Sequence, residues 1–450
     1  ATAGTTFAWT RAVVGGISQG AGSGTGAISE VLTNTTTAPV NVTYIYTLTA
    51  NGCTNPSTFS VVVPVNPTPQ LSSALSAALC NGSAFSYTAT SATAGASFSW
   101  TRAVVGGISN SAGSGLLPTI NETLNNITTS PISVTYAFVV SANGCNNAQN
   151  VVVSVNPIPV LSSTLSPAAI CSGSTFNYTG TSATPAATLS WSRATVAGIT
   201  PIGPTSGFTS ISEALTNTTA SPIVVTYAFV TSANGCNSGQ NVLVTVQPDP
   251  VLTSTLTPAA ICSGTLFAYT PTSSTAGATF AWSRSVVAGI SQGAASGTGA
   301  VSEILTNTTA SPVSVTYVYS VSANGCSNPT TANVVVVVNP TPALSSSLAV
   351  STCSATTFNY AATSGTAGVS FSWSRAVVAG ISEAASSGLT GTIAETLTNL
   401  TNTPLVVAYS FVISANGCNN AENVLVTVNP TPVLSSTTSP PVIFSGATFS

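Results

Sequence analysis

The chain has 450 residues, of which 44% are hydrophobic and only 3% charged; its five basic residues are all arginine, and it contains no histidine or methionine. A net charge of −3 gives no electrostatic footprint for nucleic acid or anionic lipid. The longest valine run, Val334 to Val338, is strand-sized and far from the ~20 residues of a membrane span, while the apolar content sets the chain apart from disordered sequences.

Taken in chain order, the best-defined stretch starts with Phe85 and Tyr87, then Phe98, Trp100 and Arg102. Next come Ile120, Glu122 and Leu124, then Val134, Tyr136, Phe138 and Val140, and finally Val151, Val153 and Val155. Alternation of period two with β-branched and aromatic residues predicts half-buried strands. The segments ATAGA, TTSP and SANG between them predict turns. No stretch has helical periodicity. About seven short strands in ~90 residues predict an immunoglobulin-like sandwich, with a small barrel as the alternative.

The pattern recurs. Trp9, Trp100, Trp191, Trp282 and Trp373 are spaced by 91 residues, and Pro-x-Pro segments follow the same period. A period of this size fits one small domain per repeat. The expected boundaries are 1–66 for a partial repeat lacking its first strands, then 67–156, 157–247, 248–339 and 340–429, with 430–450 opening a further repeat. The chain starts at Ala1 and falls about five residues short of five periods, so a processed chain or a window from a longer array is expected. Pro-x-Pro linkers are stiff, extended spacers. They predict a semi-rigid array on the order of 200 Å long at ~3.3 Å per strand residue.

All five arginines occupy one slot, two residues after the tryptophan. Residues i and i+2 of a strand share a face, so Arg102 points the same way as Phe98 and Trp100. Each repeat also has a glutamate inside an apolar alternation. The expected pairs, largely buried, are Arg11 with Glu30, Arg102 with Glu122, Arg193 with Glu213, Arg284 with Glu303, and Arg375 with Glu395. A bidentate Arg–carboxylate pair offsets much of its desolvation cost. Its expected value is in register, since a one-residue slip leaves both charges unpaired. A catalytic Arg/Glu couple is the competing reading, but it lacks a nucleophile or metal partner. The five tryptophans are expected in the core.

Nine cysteines fall in two slots. Cys80, Cys171, Cys262 and Cys353 precede the Phe-x-Tyr strand; Cys53, Cys145, Cys236, Cys326 and Cys418 end the SANGC turn. Zinc spacing is absent, and paired slots point to disulfides. The first expectation is a bridge within each complete repeat, such as Cys80–Cys145, worth roughly 4 kcal/mol in the chain-entropy model. An immunoglobulin layout sets the two slots at opposite ends of a domain, which favours instead a bridge across a junction, for example Cys171–Cys326. Both remain open here.

Without histidine the usual general base is missing, and the scattered carboxylates do not make a calcium cage. No cofactor, metal or enzymatic activity is expected. Gly-rich GAGSG (20–24) and GAASG (293–297) precede a β pattern, which argues against a phosphate cradle. Asn34, Asn126, Asn217, Asn307 and Asn399 head N-x-Thr sequons, each expected either to form a turn or to accept a glycan.

The motif string CSG-x-x-F-x-Y, TAG-x-x-F-x-W-x-R, ISE-x-LTNTT-x-SP, V-x-VTY, SANGC and VNPTP resembles PKD-like repeats of very large cell-surface proteins of Bacteroidota. It departs from ordinary PKD domains by carrying W-x-R-A-V-V-G-G-I in place of a W-x-F-G-D-G type motif. The resemblance implies an extracellular Ig-like array, exported by a type IX system and built like gliding-motility adhesins. The expected role is a structural stalk or filament segment. Its partners would be neighbouring repeats, other copies of the filament, and a surface or glycan ligand outside this segment. The variable segment between Ile108 and Ile120 is a candidate contact between filaments. A multivalent glycan- or ice-binding module is the alternative, and it would need exposed aromatic platforms or flat threonine ladders.

Overall fold

The structure, a computed structural model, describes residues 2–436, 438, 439 and 442–450. Positions 1, 437, 440 and 441, which belong to the partial first and last repeats expected from the sequence, lie outside the described residues. Strands are the only regular elements among the described residues, so the chain is all-β. It divides into two compact units, one holding residues 1–169, 174–215 and 224–245 and the other 170–173, 216–223 and 246–450.

In the first unit the second repeat shows the design. One sheet runs in the order Ser76–Cys80, Cys145–Asn156, Ile132–Ala142, Ser97–Arg102, Gly113–Gly115. The other pairs Ala84–Thr88 with Thr119–Thr123. Four of the five strands of the larger sheet are antiparallel neighbours, but Ser76–Cys80 runs parallel to Cys145–Asn156, with Cys80 opposite Asn156. The alternation read from the sequence becomes the sandwich interior: Val134, Tyr136, Phe138, Val140, Val151, Val153 and Val155 are all fully buried. Burying each such side chain stabilises by about 1.5–3 kcal/mol.

The long hairpin Ile132–Ala142 and Cys145–Asn156 turns on Asn143-Gly144, with Ala142 paired to Cys145. Both turn residues have positive φ, 50° and 79°, the requirement of a two-residue type I′ turn and the reason for the Asn-Gly in SANGC. The first repeat has one sheet among the described residues, built on Val40–Ala50, and Phe7, Phe59 and Val61 are exposed.

The second unit contains two further sandwiches of the same strand order. One has Ile261–Cys262, Ala332–Asn339, Val313–Ala323, Thr279–Arg284 and Ala295–Thr298 in its larger sheet; the other has Ala349–Cys353, Cys418–Asn429, Leu405–Ala415, Ser370–Arg375 and Ser386–Gly388. Each is closed by a two-stranded sheet, Leu266–Tyr269 with Val301–Ile304 and Thr356–Ala361 with Thr392–Leu397.

Candidate functional site: buried ion pairs and repeat junctions

The strand carrying Arg102 lies against Ile132–Ala142, with Arg102 opposite Tyr136. Glu122 comes from the other sheet, where it is paired with Phe85. The guanidinium therefore crosses between the two sheets. Arg102 donates from Nε to Glu122 Oε2 at 3.0 Å and from Nη2 to Oε1 at 2.7 Å. The other pairs lie at 2.9 Å (Arg11–Glu30), 3.0 Å (Arg193–Glu213), 3.0 Å (Arg284–Glu303) and 2.8 Å (Arg375–Glu395). The arginine side chains are at most 2% exposed, whereas the glutamates keep 11–23%. Each pair is thus sealed on the arginine side and reached by solvent on the carboxylate side.

The structure adds a member that the sequence reading missed. Tyr44, Tyr136, Tyr227, Tyr317 and Tyr409 donate their hydroxyls to the same five glutamates, at 2.5–2.7 Å. The tyrosine follows the glutamate by 14 residues in every repeat, a constant spacing that was available as a signal. Burial pushes the Glu122 carboxyl up, but the hydrogen bonds from Arg102 and Tyr136 outweigh it and leave the group below the usual carboxylate range. Burial, then the hydrogen bond to Glu122 and its charge, raises the Tyr136 hydroxyl well above the usual phenol range. The triad holds its charges in place.

Trp9, Trp191, Trp282 and Trp373 are buried and Trp100 is half-buried, so they do not form exposed platforms. Each indole lies over a cross-strand glycine: Gly24, Gly115, Gly207, Gly297 and Gly388. A Cβ on any of these glycines would lie 2.6–2.8 Å from the indole. The variable segment therefore ends in a packing position, although Leu116, Leu117, Ile202, Phe208 and Leu389 around it are highly exposed.

Of the sequon asparagines, Asn126, Asn217, Asn307 and Asn399 are buried. The Asn126 amide nitrogen donates to the carbonyls of Ser130 and Val155, both at 2.8 Å, and the other three repeat this pattern. These side chains tie a turn to the end of the long hairpin, and a glycan on the folded chain has no nitrogen to occupy.

The disulfides correct the first expectation. The bridges are Cys80–Cys236, Cys171–Cys326 and Cys262–Cys418, with Cα–Cα distances of 5.5–5.7 Å. Cys53, Cys145 and Cys353 form no bridge, so Cys80–Cys145 and the other within-repeat pairs are absent. Strand geometry gives the reason. Cys80 lies beside Asn156, at the far end of the 12-residue strand that begins with Cys145. At ~3.3 Å per residue those ends are ~36 Å apart, and a disulfide spans Cα atoms no more than ~7 Å apart.

Three junctions repeat one contact. Asn156, next to Cys80, donates its amide to the Asn234 carbonyl at 3.0 Å, in the turn that carries Cys236. Asn66 and Asn339 do the same to Asn143 and Asn416 at 2.9 and 3.0 Å. Gln247 takes this position beside Cys171, and its Oε1 is buried without a partner. The Pro-x-Pro linkers are pinned to the repeat that follows: Asn147 donates to the Pro69 carbonyl at 2.9 Å and Asn328 to that of Pro250 at 3.0 Å. Ser238 donates likewise to Pro159.

Among the described residues no group of His, Cys, Asp or Glu is placed to hold a metal ion, and no helix is long and apolar enough to cross a membrane. No curated protein matches the chain. Solved structures similar to it include Sidekick-1 immunoglobulin domains 1–4, at 13% identity and TM-score 0.22, covering 80% of this chain and 99% of that one. Titin domains I67–I69 match at 12% identity and TM-score 0.33 over 61% and 99%. Drosophila N-cadherin EC1–4 matches at 8% and 0.23 over 79% and 100%. The description "PKD-like domain" matches residues 1–69, 77–159, 168–250 and 259–342, well over half the chain, which therefore belongs to the PKD-like domain family.

Proposed function

We propose that this chain is a structural stalk or filament segment of a large extracellular repeat adhesin, which holds distance and bears tension while binding is done elsewhere. The observation that carries this reading is that, from the second repeat to the fifth, neighbouring repeats are joined twice, by the chain and by a disulfide. Disulfides persist outside the reducing cytosol, which supports an extracellular location. The motif string supports the finer reading of a Bacteroidota surface adhesin of the gliding-motility type, exported by a type IX system. The exposed Leu116, Leu117, Phe208 and Leu389 are the proposed lateral contacts with other copies.

Small-angle scattering of the oxidised chain tests the spacer role. An extended array of ~200 Å, at ~3.3 Å per strand residue, has a radius of gyration of about 58 Å, whereas a compact chain of this length has about 22 Å. A value near the lower figure would defeat the proposal.

A further inference from the structure

The three bridges interleave. Cys171 lies within the loop closed by Cys80 and Cys236, and both Cys236 and Cys262 lie within the loop closed by Cys171 and Cys326. Followed along covalent bonds, Cys80 leads to Cys236, then through about 26 residues to Cys262 and on to Cys418. A second route runs from Cys171 to Cys326.

Each bridge short-circuits 155 or 156 residues of chain. The stretch left between Cys236 and Cys262 has little slack. Cys236–Gln247 is already extended strand, and Pro248 and Pro250 hold the linker open.

We infer that the interleaved bridges form a load path that bypasses most strands of the bridged sandwiches. Tension on the ends runs through disulfides and short extended segments, the Cys236–Gln247 strand among them, and the strands enclosed by the loops 81–235 and 263–417 are shielded from it. The residues enclosed by a bridge cannot lengthen the tether, even if their core opens. This goes beyond the spacer role, which stands or falls on scattering.

Single-molecule pulling on the full chain, with a handle at each end, tests the inference. An unbridged repeat of about 91 residues that unravels lengthens the tether by roughly 280 Å, at ~3.5 Å per residue less a folded length of ~40 Å. In oxidising buffer at most one step is expected, a shorter one of roughly 190 Å from the partial first repeat, whose Cys53 is unbridged. Dithiothreitol delivers two electrons and two protons to each bridge, closing to its own cyclic disulfide and leaving two protein thiols. The reduced chain is then expected to give up to five steps. Cys80→Ser is expected to restore release of the second repeat in oxidising buffer. Equal numbers of steps with and without dithiothreitol would overturn the inference. So would a reduced chain that releases none, because the bridges would then not be what limits extension.

Discussion

Replacing Glu122 by glutamine isolates the role of the triad. Arg102 is 1% exposed and Glu122 23%, so the substitution leaves a buried guanidinium without its counter-charge. Breaking a fully buried pair costs about 3–5 kcal/mol. The solvent reach of Glu122 and the carbonyl retained by glutamine lower this to about 2–4 kcal/mol. Hydrogen exchange at Tyr136 and Phe138, in the central strand, reads the local opening free energy. At 1.36 kcal/mol per tenfold, exchange there should accelerate by ~30- to ~900-fold. The fourth and fifth repeats of the same molecule serve as internal controls, since distant sites act independently. The double replacement of Arg102 by methionine and Glu122 by leucine should return stability to within about 1 kcal/mol of the parent or raise it, because packed hydrophobic residues of similar volume replace a buried ion pair without its desolvation cost. Acceleration below about threefold in the single variant would refute the reasoning.

Three further outcomes follow from the same geometry. The glutamate carboxyls of the triads are held below their ordinary value of 4.5, so their stabilisation is fully present above pH 4.5 and is lost as pH falls through the folded-state value. A denaturation midpoint that does not decline below that pH would contradict the cited interactions. Gly115→Val places a Cβ 2.6 Å from the Trp100 indole nitrogen and should cost about 1–3 kcal/mol through overpacking, visible as a lower thermal midpoint with altered tryptophan fluorescence; an unchanged midpoint would show that the indole does not rest on that glycine. Asn126→Ala removes the amide that donates to the Ser130 and Val155 carbonyls, leaving Ser130 only the Thr128 hydroxyl, so thermal unfolding should report a loss of about 1–3 kcal/mol, and a loss below 0.5 kcal/mol, at the ~1 kcal/mol scale of one hydrogen bond, would count against the tie.

Period-two alternation revealed the sandwich because half-buried strands place every second residue in the core, as Val134, Tyr136, Phe138 and Val140 do. Arg102 and Glu122 were recognisable for the same reason, each being a charge on an apolar face. Tyr136 escaped notice because a tyrosine on that face already has a packing role and does not call for a partner. Disulfide connectivity could not be settled from spacing. Cys80 is nearer in sequence to Cys145 than to Cys236, but the parallel register that puts Cys80 beside Asn156 separates it from Cys145 by a strand length. That register is a tertiary fact. The sequon asparagines were ambiguous because an exposed acceptor and a buried turn-former share the same three letters, and only the carbonyls of Ser130 and Val155 decide between them.

The scarcity of basic residues makes the central claim directly measurable. Trypsin can cut the unfolded, unreduced chain only after Arg11, Arg102, Arg193, Arg284 and Arg375. With free thiols alkylated first, bridges from each repeat to the next predict two separate disulfide-linked assemblies by mass spectrometry. One holds residues 12–102, 194–284 and 376–450, and the other 103–193 and 285–375. A single assembly joining all five fragments would mean that each repeat closes on itself, and would contradict the account.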